Sequence, residues 1–309
     1  MNALTRAPLR YLREHRFQLP ALAPPRVLPL LTMVQLLVGT ADNGLLFAPL
    51  AAWFALGAAL PRLLRTPLFW YVTATILGTG VYLTWESADN HRYLFVYWSL
   101  ALCCAFSLPR AQQPLALAIT SRWLIGLCML LAAAWKIASP DYLSGSFFHY
   151  ELLADERFAH FASWTSGLSL EQLTENRTLR ESLVAGQLTG VELSQVQLHF
   201  TPTITAIAKV LTWWTLGIES LLTGLFLAAA VVRCRPRLVL VANLTLLLFA
   251  ATTYAVAPVR GFGGVLMLLG LAQCESGQKK LRYVFLAAFV LMQLCPMPLM
   301  DLIVLLRLV

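Results

Sequence analysis

The chain has 309 residues, of which 59% are hydrophobic and 12% charged, with a formal net charge of +8. A soluble domain carries about 25% charged residues, so the composition excludes an ordinary soluble protein and points to an all-α, polytopic integral membrane bundle. The positive charge lies in short clusters between apolar runs, which is what orientation in a lipid bilayer needs, and nucleic acid is not expected as a partner. The six cysteines, Cys103, Cys104, Cys128, Cys234, Cys274 and Cys295, form no C-x-x-C pair, so no disulfide framework, zinc site or paired-thiol redox motif is expected.

Residues 1–26 hold Arg6, Arg10, Arg13, Arg16 and Arg26 against Glu14, and read as a cytoplasmic basic arm on anionic lipid, not as a secretory signal. The apolar stretch 27–60 is interrupted at Thr40-Ala41-Asp42-Asn43-Gly44. One helix of that length would reach about 51 Å against a hydrocarbon core of about 30 Å, so two short spans, 27–41 and 44–60, are expected. Spans at 67–84, 93–107 and 115–136 follow, with a polar turn at 85–92, and complete a first transmembrane half over 27–138.

Residues 139–202 differ in kind, with eight acids against three bases between 139 and 200. Their apolar spacing predicts short amphipathic helices over 147–164 and 169–184, in an external or interfacial helical insert that is not expected to fold alone. A second transmembrane half, 203–309, offers spans at 203–232, 238–257, 262–273 and 283–306, the last kinked by Pro296 and Pro298. Eight to nine spans result. With the amino terminus cytoplasmic, as in a bacterial inner (plasma) membrane, the basic turns fall inside and the acidic insert outside, and the carboxyl terminus is external.

This topology brings the ends of separate helices to one membrane face. Lys136 closes the span 115–136, and Glu86, Asp89, Asn90 and His91 occupy the turn on the same side. A lysine in an apolar wall can serve as a base, whereas a neighbouring carboxylate makes it half of an ion pair, and a lysine at a helix end can simply snorkel into the headgroups. Asn90 and His91 can each donate and accept hydrogen bonds, which suits the oxygens of a quinone-like ligand or, equally, a solvated loop. Glu219 lies well inside the span 203–232, where a carboxylate is costly and marks either a functional group or an interhelical contact. Arg122 is its candidate partner or else snorkels inward, and Lys209 lies nearer the outer end.

Weaker signals are Asn176-Arg177-Thr178, a glycosylation sequon by pattern only, and the glycine groups 78–80 and 261–264, which read as packing spots. His149, His160 and His199 lie in the insert, the first two, eleven residues apart, reading as solvated and not as metal ligands, and no metal site is expected.

The run Asn90-His91-Arg92-Tyr93-Leu94, then a long span ending Ala132-Ala133-Ala134-Trp135-Lys136, then Asp141-Tyr142-Leu143-Ser144-Gly145, resembles the membrane domain of the vitamin K-dependent γ-glutamyl carboxylases and the wider HTTM (horizontally transferred transmembrane) family. Trp213-Trp214-Thr215-Leu216-Gly217-Ile218-Glu219 is similar to that family's glutamate-bearing span. The resemblance covers most of residues 27–273. It implies a lyase-type enzyme using a reduced, vitamin K-like quinone, with Lys136 as catalytic base and Asn90, His91, Tyr93 and Glu219 on the cofactor side. The insert 139–202 would then meet an unidentified peptide or protein. The 309 residues hold no counterpart of the carboxylase's β-rich region, and Asn243 stands about where the family often has a histidine. Protein γ-carboxylation itself is therefore not carried over. The alternative is a non-catalytic integral subunit that docks a partner within a larger complex. Transport is disfavoured because few intramembrane charges line a path.

Overall fold

A computed structural model describes residues 24–41, 43–87, 90–186, 197–232, 236–257, 259–274 and 278–294. The α-helices are α1 Pro24–Gly39, α2 Gly44–Ala59, α3 Pro67–Leu83, α4 Asn90–Phe106, α5 Gln113–Ala138, α6 Pro140–Leu143, α7 Ser146–Ala154, α8 Ala159–Ser166, α9 Leu170–Val184, α10 Pro202–Val231, α11 Pro236–Val256, α12 Arg260–Gln273 and α13 Lys279–Leu294. No strand occurs among the described residues. Among the described residues three helices, α5, α10 and α11, are long and apolar enough to cross a membrane, with 26, 30 and 21 residues. At 1.5 Å per residue they measure about 39, 45 and 32 Å, against about 30 Å of hydrocarbon. The molecule is thus a helical membrane protein. Val27–Gly39, α2 and α3 are shorter apolar helices.

Proline and capping residues set the helix starts. Pro67, Pro114, Pro140 and Pro202 occupy first-turn positions, where the missing N–H breaks no helical hydrogen bond. The stretch 27–60 breaks where the sequence turns polar: α1 ends at Gly39, and Asn43 caps α2 by accepting from the Leu46 N–H at 3.3 Å. The basic arm before residue 24, Asp42, Asp89 and the two prolines at 296 and 298 lie outside the described residues.

Two expected boundaries move. Asn90, His91 and Arg92 are not in a turn but form the first turn of α4, because the helical face continued by Phe95, Trp98 and Leu102 extends back through His91. The single amphipathic helix expected over 147–164 is two, α7 and α8. Asp155 interrupts it by accepting from the Arg157 N–H at 2.8 Å, which caps a short 3-10 turn.

Side-chain contacts fix the packing sense. Gly57 faces Phe69 and Gly80 faces Leu46, so α2 and α3 run antiparallel. Trp98 donates to Thr32 at 2.9 Å while Gly39 lies under Phe95, which makes α1 antiparallel to α4. Gly126 faces Leu227 and Arg122 reaches the Ala229 carbonyl, giving an antiparallel α5–α10 pair. Gly264 approaches Gln293 and Gly270 lies under Phe285, which reverses α13 on α12. The centre of the bundle is α12. Residues 263–273 are all buried, and α1, α4, α5 and α13 pack around it. A helix apolar on every face has no surface to offer water, and its glycines let neighbouring helices approach closely.

The insert has its own small core. Tyr142, Phe148, Leu152, Leu153, Phe158, Ala162, Leu168 and Leu173 pack on Ile204 and Ala208 of α10 and on Ala257. It is therefore seated on the end of the bundle where α5 finishes and α10 begins. Gly145 makes the turn between α6 and α7 at φ 87°, a left-handed conformation in which a side chain would be strained. Asn176 is buried and clamps the strand-like return, donating to the His199 carbonyl at 2.9 Å and accepting from its N–H at 2.8 Å. That explains Asn176 as a structural residue and leaves the sequon without an accessible acceptor. Burial and the neighbouring Asp155 carboxyl push Glu151 up to about 7, while Asp155 itself, raised by burial but bonded by Arg157, ends below the ordinary carboxylate range.

Candidate functional site

The α5–α10 pair carries the site. Its antiparallel register places Lys136, in the last turn of α5, level with Glu219 of α10, and the ammonium bonds the carboxylate directly through Oε1. Their side chains are 22% and 8% exposed. Glu219 Oε2 is buried and has no hydrogen-bond partner, so half of the carboxylate's acceptor capacity is unused. Two charges withdrawn from water in this way are stable only when paired, and an unused buried oxygen remains costly.

Two residues that the sequence reading did not single out complete the surroundings. Lys136 Nζ lies 5.3 Å from the centroid of the Tyr142 ring, a cation–π geometry. The Tyr142 hydroxyl bonds Thr215 Oγ1, and Thr215 donates its own hydrogen to the Leu211 carbonyl at 2.8 Å. The phenol is therefore the donor to Thr215. Burial, with the Glu219 carboxylate adding to it, holds the Tyr142 phenol above its ordinary value, so it stays a neutral donor. Thr215 lies one turn before Glu219 on the same face of α10, and that i, i+4 spacing was the available signal. Tyr142 is reached only because Ser139 caps α6, accepting from the Tyr142 N–H at 3.4 Å, and Pro140 turns the chain back over the end of α5.

The remaining expected residues are distributed as follows. His91 is partly buried at the start of α4. Its ring packs edge-on against Phe95 at 5.4 Å and lies so close to Gly261 that a Cβ there would meet the imidazole at 2.6 Å. Asn90 and Tyr93 are exposed on the same turn. The six-residue connection 107–112 and the packing of α4 on α5 bring the start of α4 and the end of α5 to one end of the bundle. The contacts given above nevertheless divide the set, with Lys136, Glu219, Tyr142 and Thr215 in one group and His91 against α12 in another. Beside His91, the fully buried Gln35 donates to the Gly261 carbonyl at 3.1 Å and accepts from Gln293 at 2.7 Å.

Arg122 is not the partner of Glu219. It lies fourteen residues from Lys136 on α5 and donates to the Ala229 carbonyl at 3.4 Å, about 21 Å along the helix from the ion pair. His199 is exposed and pairs with Glu175 at 2.9 Å, whereas His149 has a buried, unpartnered Nε2 and so is not simply solvated. Among the described residues no three His, Cys, Asp or Glu side chains gather as a metal site. Compared with protein-family models, with curated proteins and with solved structures, the chain matches none.

Proposed function

We propose that the chain is an eight- to nine-span enzyme of a bacterial inner membrane, amino terminus cytoplasmic, in which the Lys136–Glu219 pair exchanges a proton with a reduced quinone at the outer face. The observation that carries this reading is the pair itself: a lysine and a glutamate held between two membrane-length helices, with one carboxylate oxygen buried and unpartnered beside them. An orphaned acceptor calls for a donor, and the hydroxyl of a hydroquinone is one. When bound, such a cofactor supplies an ionisable, oxidisable phenol. Lys136 and Glu219 would hold it. Their shared proton has two arrangements, ammonium with carboxylate or amine with carboxylic acid, and low dielectric narrows the gap between them by penalising separated charge. In the second arrangement the Lys136 amine can take a phenolic proton while the carboxyl keeps its own. Asn90, His91 and Tyr93 complete the proposed cofactor side from the same end of the bundle, in the manner of the HTTM and vitamin K-dependent carboxylase-like proteins.

The orientation is supported by charge. Arg62, Arg65, Arg110, Arg237, Lys279, Lys280 and Arg282 all belong to turns or helix starts at the end away from the insert. The test is oxygen-dependent consumption of a reduced naphthoquinone by the protein in nanodiscs. K136M is expected to lose at least about tenfold while still unfolding in a cooperative thermal transition, at a lower temperature. Equal rates in wild type and K136M would remove the lysine from the chemistry.

A second reading, a non-catalytic subunit, draws on the apolar groups that the insert exposes, Trp164 at 67%, Phe200 at 62% and Val184 at 82%. Its signature is co-purification with a larger complex that is lost when 147–184 is altered.

A further inference from the structure

We propose that Tyr142 is a positioning residue through which the packing of the insert sets the geometry of the Lys136–Glu219 pair; this rests on the reading of that pair as the reactive site. Tyr142 belongs to both structures at once. The residue is 4% exposed and belongs to the insert core, its ring stacked on Phe147 at 5.4 Å and edge-on to Phe148 at 5.6 Å, and Phe148 in turn meets Phe158 at 6.3 Å. The same ring lies under the Lys136 ammonium, and its hydroxyl is tied to α10 at Thr215, one turn from Glu219. A continuous file of rings therefore runs from Phe158 to the lysine, and it ends on a group fixed to the helix that bears the carboxylate. Aromatic packing of this density does not slide smoothly, so a shift of α7 or of the 3-10 turn bearing Phe158 is passed to the Tyr142 ring. A ring that moves from beneath the ammonium withdraws its stabilisation of the charged amine. The site would then be set by whatever reorganises the insert, without that agent touching Lys136.

The test reads the pair directly and needs no activity. Infrared difference spectra of the full chain in nanodiscs follow the Glu219 carboxyl band against pH, assigned by its loss in E219Q. Tyr142→Leu removes the ring and is expected to move the midpoint up by about half a unit or more, because the charge-separated pair loses the cation–π contact. Tyr142→Phe keeps the ring face and moves it less. Phe158→Leu, which lies one ring beyond Tyr142's own neighbours, is expected to shift the band in the parent and not in the Y142L background. If Y142L does not fold, Thr215→Val, which unhooks the phenol and otherwise gives up only a hydroxyl bond within α10, is expected to shift the midpoint in the same direction. An unmoved midpoint in Y142L and T215V, an equal Phe158→Leu shift in both backgrounds, or no carboxyl band at any pH overturns the proposal. Those results leave the hydroquinone assay of K136M to stand or fall separately.

Discussion

Replacing Lys136 by methionine keeps the length and apolar volume of the stem and removes only the ammonium that faces Glu219. Breaking a buried pair by deleting one partner costs about 3–5 kcal/mol, because the other charge is left uncompensated. Here 22% of the lysine side chain is still exposed and only 8% of the glutamate. Partial access to solvent, and uptake of a proton by the stranded carboxyl, reduce the expected loss to about 2–3 kcal/mol. Glu219→Gln should cost less, about 1–2 kcal/mol, since a lysine at a helix end can turn its ammonium outward. The double variant K136M/E219Q removes both charges and should be no worse than K136M alone, giving a coupling energy of at least about 1 kcal/mol. Equilibrium unfolding of the four proteins in mixed micelles, followed by tryptophan fluorescence, measures the cycle. Additive losses within about 0.5 kcal/mol would show that the two groups do not stabilise one another and would refute the ion-pair reasoning.

Three further outcomes are expected. Glu151 is held above its ordinary carboxyl value of 4.5, at about 7, so the folded insert binds this proton more tightly than the unfolded one. Its stability should therefore fall as pH rises from about 4.5 to about 7, and E151Q should flatten that dependence, as read from the rate of limited proteolysis within the insert. Asn176→Ala should destabilise the insert by about 1–3 kcal/mol, since the buried Asn176 amide is what satisfies the His199 backbone N–H and carbonyl, and a thermal transition unchanged from wild type would count against that role. Gly264→Ala should cost about 1–3 kcal/mol by driving a Cβ into the Gln35 side chain, which is buried and cannot swing away; a variant as stable as wild type would mean that α1 and α12 are less closely packed than described.

The helices were legible in the sequence because their causes are local. Prolines at 67, 140 and 202 open helices, Asn43 caps one, and the polar break at 40–44 divides a stretch too long for a single span. What could not be read was register. Lys136 and Glu219 are separated by 83 positions, and their meeting depends on α5 and α10 being antiparallel and in step, which neither helix states alone. Arg122 was an equally good partner on composition and was excluded only by its depth. The polar run 90–92 concealed a helical turn because its apolar repeat begins later, at Leu94 and Phe95. The role of α12 was hidden by its length, as the stretch 262–273 reads as a short span and not as the buried axis of the bundle. Tyr142 stands in the Asp141–Gly145 run with no role assigned to it there, and its importance comes from two contacts made across a chain reversal.

The most direct measurement of the central claim is photoaffinity labelling with an azido-naphthoquinone, carried out on the full chain in nanodiscs and mapped by peptide mass spectrometry. Label on the ends of α5 and α10 around Lys136 and Glu219, displaced by unlabelled naphthoquinone and lost in E219Q, is the expected result. Displaceable label confined to other helices, or label around Lys136 that E219Q leaves unchanged, would contradict it.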